Sequence, residues 1–263
     1  MHLQDKVVVI TGASMGIGEA IAKLFADHGA AIVLSSRDLG RVEAARERIG
    51  HLERTRAVAC DVRDPAQIAA LLRATQEAFG RVDVWVNNAG FGLVDSVEHM
   101  DREAYRRMFD TNLFAAIEAM QQVIPVMKRQ GSGAIINISS VAGYIAVPYM
   151  GAYGATKRAL NAISRAARLE LAGTGVSVIN VCPGYVKTAF ADNAVRGHDR
   201  MRVSDRVRRG CSAEQVARAV LRAYDCNAAE AVVPWGYRIL IGLAVLAPFI
   251  IDFGLKHMMR PEE

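Results

Sequence analysis

Short runs rich in valine and isoleucine alternate along this chain with longer stretches whose apolar positions recur at helical spacing. The strand-like runs are 6–10, 31–35, 56–60, 82–86, 134–138, 176–181 and 231–233. Most are apolar at nearly every position, as strands covered on both faces must be, so they read as one parallel sheet. Between them lie amphipathic stretches at 17–28, 39–49, 65–79, 102–128, 153–172 and 213–224, each expected to be a helix. Strand–helix alternation with right-handed crossovers predicts an α/β fold: a doubly wound parallel sheet of about seven strands, helices on both faces, and ligands at the strands' carboxyl ends. No repeat of fixed period, low-complexity tract or linker interrupts the pattern, so a single domain over 1–263 is expected.

Composition agrees with that picture and narrows the partners. A chain of 263 residues with 52% hydrophobic content can enclose a substantial core. The net charge of +5 is spread along the chain apart from one dense stretch at 196–209, so nucleic acid binding is not indicated. Cys60, Cys182, Cys211 and Cys226 are far apart and suggest reduced structural thiols, while the six histidines lack ligand spacing, so no metal site is expected. The N-terminus enters a strand with no secretory pattern, which makes a cytoplasmic location the default expectation. The apolar uncharged run 239–251 is interrupted by Pro248 and is too short to span a bilayer as a simple helix.

Two places carry candidate chemistry. The first strand runs into Thr11-Gly12-Ala13-Ser14-Met15-Gly16-Ile17-Gly18 and then a helix. Gly12 suits the tight turn, Gly16 a close approach of backbone to a pyrophosphate, and Gly18 close helix–strand packing, with the helix N-terminus turned to the phosphates. The second place is Tyr153 and Lys157, four residues apart at the start of a helix and therefore on one face. A phenol with a pKa near 10 needs a neighbouring cation if it is to act as a base, and Lys157 is placed to supply it.

The G-x-x-x-G-x-G spacing resembles the short-chain dehydrogenase/reductase family. The resemblance extends to Asn87-Asn88-Ala89-Gly90, Asn112, Ser140, Tyr153, Lys157, Pro183-Gly184 and Thr188, in order over most of the chain. It implies a Rossmann-type fold with hydride transfer between a nicotinamide cofactor and a carbonyl or alcohol substrate. By that resemblance Tyr153 is the acid/base and Ser140, rather than Ser139, orients the substrate oxygen. Lys157 holds the nicotinamide ribose and supplies positive charge, and Asn112 binds a water that links Lys157 to solvent. The cofactor contacts it implies are Gly12, Ser14, Met15, Gly16, Ile17, Gly18, Asp61 and Val62 toward adenosine and pyrophosphate, Asn88, Ala89 and Gly90 along the groove, and Tyr153, Lys157, Pro183, Gly184, Val186 and Thr188 around the nicotinamide. Family members that prefer NAD place a carboxylate at the end of the second strand, where this chain has Ser36 and Arg37, so NADP(H) is expected. The competing reading makes Arg37 a solvated loop residue and Asp38 the ribose ligand.

The substrate is less legible. Stretches 92–100 and 141–152 are expected to wall the site, with Val141, Tyr144, Ile145, Val147 and Met150 suggesting an apolar interior, and 189–211 is expected to form a lid. The tail at 235–263 departs from the family's compact ending, and two arrangements stay open: packing on protein, or peripheral contact with a membrane interface. Many relatives pair their long fourth and fifth helices between subunits, so a homo-oligomer, dimer or tetramer, is expected. Two other function classes remain in view, a non-catalytic nucleotide sensor or scaffold and a dehydratase or isomerase on the same frame.

Overall fold

The computed structural model describes residues 2–198, 201–203 and 210–261. Its main sheet has seven parallel strands: β1 (Val7–Thr11), β2 (Ala31–Ser36), β3 (Thr55–Ala59), β4 (Val84–Asn87), β5 (Gly133–Ile138), β6 (Val176–Pro183) and β7 (Glu230–Val233). Their order is β7-β6-β5-β4-β1-β2-β3, so the chain reverses its direction of travel across the sheet between β1 and β4. That switch opens a crevice above the carboxyl ends of these two strands.

Alternation along the strands builds two apolar layers. Val8 and Ile10 face one side with Ile32, Leu34, Val86 and Ile136, and there meet Phe25 of helix α1 (Gly16–Asp27), Val42 of α2 (Leu39–Ile49) and Val220 and Tyr224. Val9, Val33, Trp85, Ile135 and Val178 face the other side, against Leu71 of α3 (Pro65–Phe79) and against Val123 and Met127. Trp85 has no exposed surface, and its indole N–H donates to Asn87 at 2.8 Å, which satisfies the polar end of a buried ring.

Helix starts follow local chemistry. Asp38 and Asp64 accept from the first turns of α2 and α3, with Pro65 at the entry of α3. Asp101 does the same for α4 (Arg102–Phe109). Ser212 and Gln215 form a reciprocal capping box on α7 (Ala213–Asp225). The helix expected over 102–128 is not uniform: a π-helical turn, Asp110–Phe114, separates α4 from α5 (Ala115–Gln130). After β5 comes α6 (Gly151–Glu170), and the apolar tail forms α8 (Tyr237–Leu246) and α9 (Pro248–Met258). Two-residue strands Leu93–Val94 and Val195–Arg196 pair in parallel beside the crevice, a long-range contact that local sequence pattern does not reveal.

Candidate functional site

The glycine turn after β1 is shaped by contacts that exclude side chains. Gly12 takes φ +64°, and a Cβ there would meet the Ala89 backbone at 2.8 Å, so the turns after β1 and β4 touch. A Cβ on Gly18 would stand 2.6 Å from the Gly12 carbonyl and 2.5 Å from the Asn88 amide. Asn88 ties the two turns together, donating to the carbonyls of Thr11 at 3.0 Å and Gly12 at 2.9 Å. Thr11 adds a bond that sequence reasoning missed: its buried hydroxyl accepts from the backbone N–H groups of Asn88 and Ala89 at 3.1 and 3.2 Å. No side chain caps α1 at Met15, in contrast to α2, α3, α4 and α7, so its first N–H groups stay available to an anion.

At the outer end of this crevice Ser36 sits at the end of β2 with Arg37 exposed beside it. The Asp38 carboxylate accepts from the Arg41 backbone N–H at 3.0 Å and so is occupied as a helix cap. Asp61 is gripped by Arg63, with Nε to Oδ1 at 3.0 Å; that guanidinium holds the carboxyl below its ordinary pKa, and Arg37 adds a smaller effect. Val62 is buried next to it.

At the inner end, β5 delivers Ser140, α6 delivers Tyr153 and Lys157, and the π-helical turn delivers Asn112; all four are buried. Ser139 and Ser140 separate by strand alternation. Ser139 turns inward and donates to the Lys157 carbonyl at 3.2 Å and to Asn161. Ser140 caps the short 3-10 turn Val141–Gly143 and donates to the Pro183 carbonyl at 3.4 Å. Lys157 Nζ stands 5.8 Å from the Tyr153 ring centroid and donates to the Ile138 carbonyl at 2.8 Å. Asn112 clasps the backbone of Phe91, donating to its carbonyl at 2.9 Å and accepting from its N–H at 3.0 Å. A Cβ on Gly90 would meet Asn112 Oδ1 at 3.0 Å and Lys157 Nζ at 3.9 Å, so the loop after β4 closes directly over these two side chains.

Burial sets the electrostatics. It pushes the Tyr153 phenol up to about 12, with the Ser140 hydroxyl offsetting only part of the effect, and it lowers the Lys157 ammonium to about 8. The phenol is therefore protonated at neutral pH, and the ammonium is charged but only about one unit from losing its proton. Lys157 does not by itself make the phenol a base in this state.

After β6, Gly184 donates to the Val233 carbonyl at 2.7 Å, and Val186 forms an isolated bridge with Cys211. The segment beyond crosses the front of the crevice. It brings Thr188 to Gly16, where an added Cβ would meet it at 3.4 Å, and Asn193 to Met15, and it sets the Phe190 ring 5.8 Å from that of Tyr153. Phe190, a second residue missed in the sequence, carries no signal beyond its place two residues past Thr188. Residues 199, 200 and 204–209 of the expected lid lie outside the described residues.

The expected apolar walls divide. Tyr153 packs with Leu93, Met100, Met108 and Met150, while Val147 and Met150 meet Val94 and Ala194. Val141, Tyr144 and Ile145 instead pack toward Cys182 and Val232, and the Tyr144 hydroxyl donates to Glu230 beneath the site. Tyr144 is thus tied to β7 by a polar partner that lies 86 positions away, too far for sequence pattern to pair them.

Comparison with known proteins decides the family. Residues 6–199 match the family model described as short chain dehydrogenase. The chain belongs to the short-chain dehydrogenase family. Its curated relatives include an uncharacterised oxidoreductase of Staphylococcus saprophyticus, 34% identical over 83% of this chain and 89% of the relative. Another is an NADP-dependent (R)-specific alcohol dehydrogenase of Lentilactobacillus kefiri, 38% identical over 76% of this chain and 81% of that one. Among solved structures, a short-chain dehydrogenase/reductase from Burkholderia phymatum in complex with NAD superposes with a TM-score of 0.86 at 27% identity, over 95% of this chain and 96% of its own. A 3-ketoacyl-(acyl-carrier-protein) reductase from Brucella melitensis complexed with NADH gives 0.80 at 27% identity, over 88% and 97%. These likenesses place a short-chain dehydrogenase frame beneath the side chains described above.

Proposed function

We propose that this short-chain dehydrogenase is a single-domain, cytoplasmic NADP(H)-dependent carbonyl reductase or alcohol dehydrogenase. The observation that carries the reading is the meeting of Tyr153, Ser140 and Lys157 at the inner end of a crevice whose outer end is a glycine turn under an uncapped helix. The crevice fits a dinucleotide: Gly12 and Gly18 let the turns after β1 and β4 and the start of α1 close on one another, Gly16 adds no side chain beside Thr188, and the α1 N-terminus offers N–H donors to the pyrophosphate. Ser14, Met15 and Ile17 would flank that pyrophosphate, Asp61 and Val62 the adenine, and Asn88, Ala89 and Gly90 the adjoining ribose. Lys157, Pro183, Gly184, Val186 and Thr188 would surround the nicotinamide half. Bound there, a nicotinamide supplies or accepts the hydride.

In reduction Tyr153 donates its proton to the substrate carbonyl oxygen, and Ser140 donates a hydrogen bond to the same oxygen. The raised pKa of Tyr153 suits a group that must hold a proton until the carbonyl oxygen becomes basic. Oxidation needs the reverse, a phenolate, and for that Lys157 contributes positive charge from the next helical turn. Asn112 holds the Gly90–Phe91 loop over Lys157 and positions the water through which Lys157 exchanges protons with solvent. Arg37, with Ser36, supports NADP(H), because a guanidinium pairs with a 2′-phosphate and the adjacent Asp38 carboxylate already caps α2.

Tyr153, Met100, Met108 and Met150 make the reactant's surroundings apolar, so the substrate class is a hydrophobic carbonyl or alcohol. A homo-oligomer built on α4 and α5 is part of this proposal. A panel of aliphatic, aromatic and steroid-like carbonyls followed by NADPH absorbance should give turnover that falls at least about a thousandfold in Tyr153→Phe. NADPH binding with no turnover across the panel would favour the non-catalytic sensor instead.

A further inference from the structure

The apolar tail folds as two helices, α8 and α9, that meet at a bend of 113°. Ala247 leaves the helical region at φ −144° and ψ 63°, and Pro248 follows, which together break the rod. One face of the pair belongs to the protein. Tyr237 lies over Gly184, where a Cβ would meet its ring at 2.5 Å, and Ile241, Ala244, Ile251 and Leu255 pack with Val141, Ile145, Cys182 and Val232. The other face is bare: Trp235, Ile239, Val245, Leu246 and Phe249 are 58–86% exposed. Among the described residues, half of all exposed large apolar side chains fall within this one segment.

Charge distinguishes the occupants of such a face. Arg218 and Arg222 of α7 and Arg238 of α8 border a groove beside Trp235, and Lys256 ends the apolar stretch. Between Tyr237 and Lys256 the sole carboxylate is Asp252, four residues before Lys256. An apolar centre rimmed by Trp235 and cations complements a lipid interface with anionic headgroups. A second copy related by a two-fold axis would instead bring the same three arginines toward one seam.

We propose that α8 and α9 seat this protein on a membrane surface carrying anionic lipids, lying in the interface rather than crossing it. Each helix is only about 15 Å long against a hydrocarbon core of about 30 Å, and one face of each is already packed on protein. On the oxidoreductase reading above, this seating has a consequence for the substrate. Leu255 and Met150 both pack against Val94, and Met150 also packs against the cluster that holds Tyr153, so the site stands behind the membrane face and favours carbonyl compounds that dissolve in the acyl layer.

Vesicle flotation of the full chain tests the seating without any turnover. The wild type should float with vesicles of equal phosphatidylglycerol and phosphatidylcholine, and about tenfold less with phosphatidylcholine alone. The double variant Leu246→Glu/Phe249→Glu, at exposed positions, should lose about tenfold of the binding while its melting temperature holds, and Arg218→Gln/Arg222→Gln should lose the anionic preference. A wild type that stays unbound, or a Leu246→Glu/Phe249→Glu variant that floats as well, overturns the proposal. So does an oligomer that this variant breaks in the absence of any vesicle binding, which would make a second copy the occupant. Failed flotation leaves the oxidoreductase reading standing, and failed turnover leaves the seating standing.

Discussion

At Lys157 the balance between burial and charge can be measured in the cofactor-free protein. Its ammonium is lowered to about 8 from the ordinary 10.5, so below pH 8 folding must bury a charged group, and that penalty is relieved as pH rises toward the unfolded value. The unfolded chain binds more protons in this window, so the contribution of Lys157 to stability grows with pH. Tyr153 and Cys60 are raised and act in the opposite sense at higher pH, but they cancel when wild type is compared with Lys157→Met. Chemical denaturation at pH 7.5 and 9.5 should show wild type gaining on Lys157→Met, and a constant difference would place Lys157 in a more solvated site. Arg37 offers a second test at this scale: Arg37→Asp should weaken NADPH binding by about 2 kcal/mol or more while changing NADH binding little. Equal losses for both cofactors would return Arg37 to the role of a solvated loop residue. Both residues were legible in the sequence, Lys157 by its spacing from Tyr153 and Arg37 by its position after β2. Phe190 and the hydroxyl of Thr11 were not, because their roles arise only when distant segments meet.

Among the elements, the glycine turn is where sequence and structure agree most fully, since the glycine pattern encodes local backbone geometry that long-range packing then uses. Gly18→Ala should cost about 1–3 kcal/mol, because a methyl group would meet the Gly12 carbonyl at 2.6 Å and the Ala13 backbone at 3.0 Å, which cannot swing aside even if the Asn88 side chain yields. Denaturant titration reads the loss, and an unchanged midpoint would show that the turn can relax. The helix over 102–128 was legible only in outline. Apolar periodicity marks its faces, but one extra residue in a turn hardly disturbs that periodicity, so the π-helical turn at Asn112 stayed hidden. Its consequence is functional geometry: the widened turn lets Asn112 clasp Phe91 through both amide atoms. The tail shows the opposite limit, for its apolar run was plain in the sequence while the division into a packed and a bare face needed the fold.

Across the whole molecule, the parallel sheet with helices on both faces follows from the alternation of strand and helix, whereas the strand order needed the fold, and the crevice lies where that order reverses. The site gathers there from five parts of the chain: the turn after β1, the loop after β4, the π-helical turn that clasps it, the end of β5 and the start of α6. Family resemblance could name these residues because each belongs to a short motif, while the substrate wall is built from scattered apolar contacts with no motif of their own. The central claim is that these parts deliver a proton from Tyr153 to an oxygen as hydride reaches the adjacent carbon. Its most direct test uses NADPH deuterated at the transferable C4 position with an active carbonyl from the panel. Mass spectrometry of the product should find deuterium on the carbinol carbon with the wild type, and almost no product with Tyr153→Phe. Product lacking the label, or labelled product formed by Tyr153→Phe at the wild-type rate, would contradict the account.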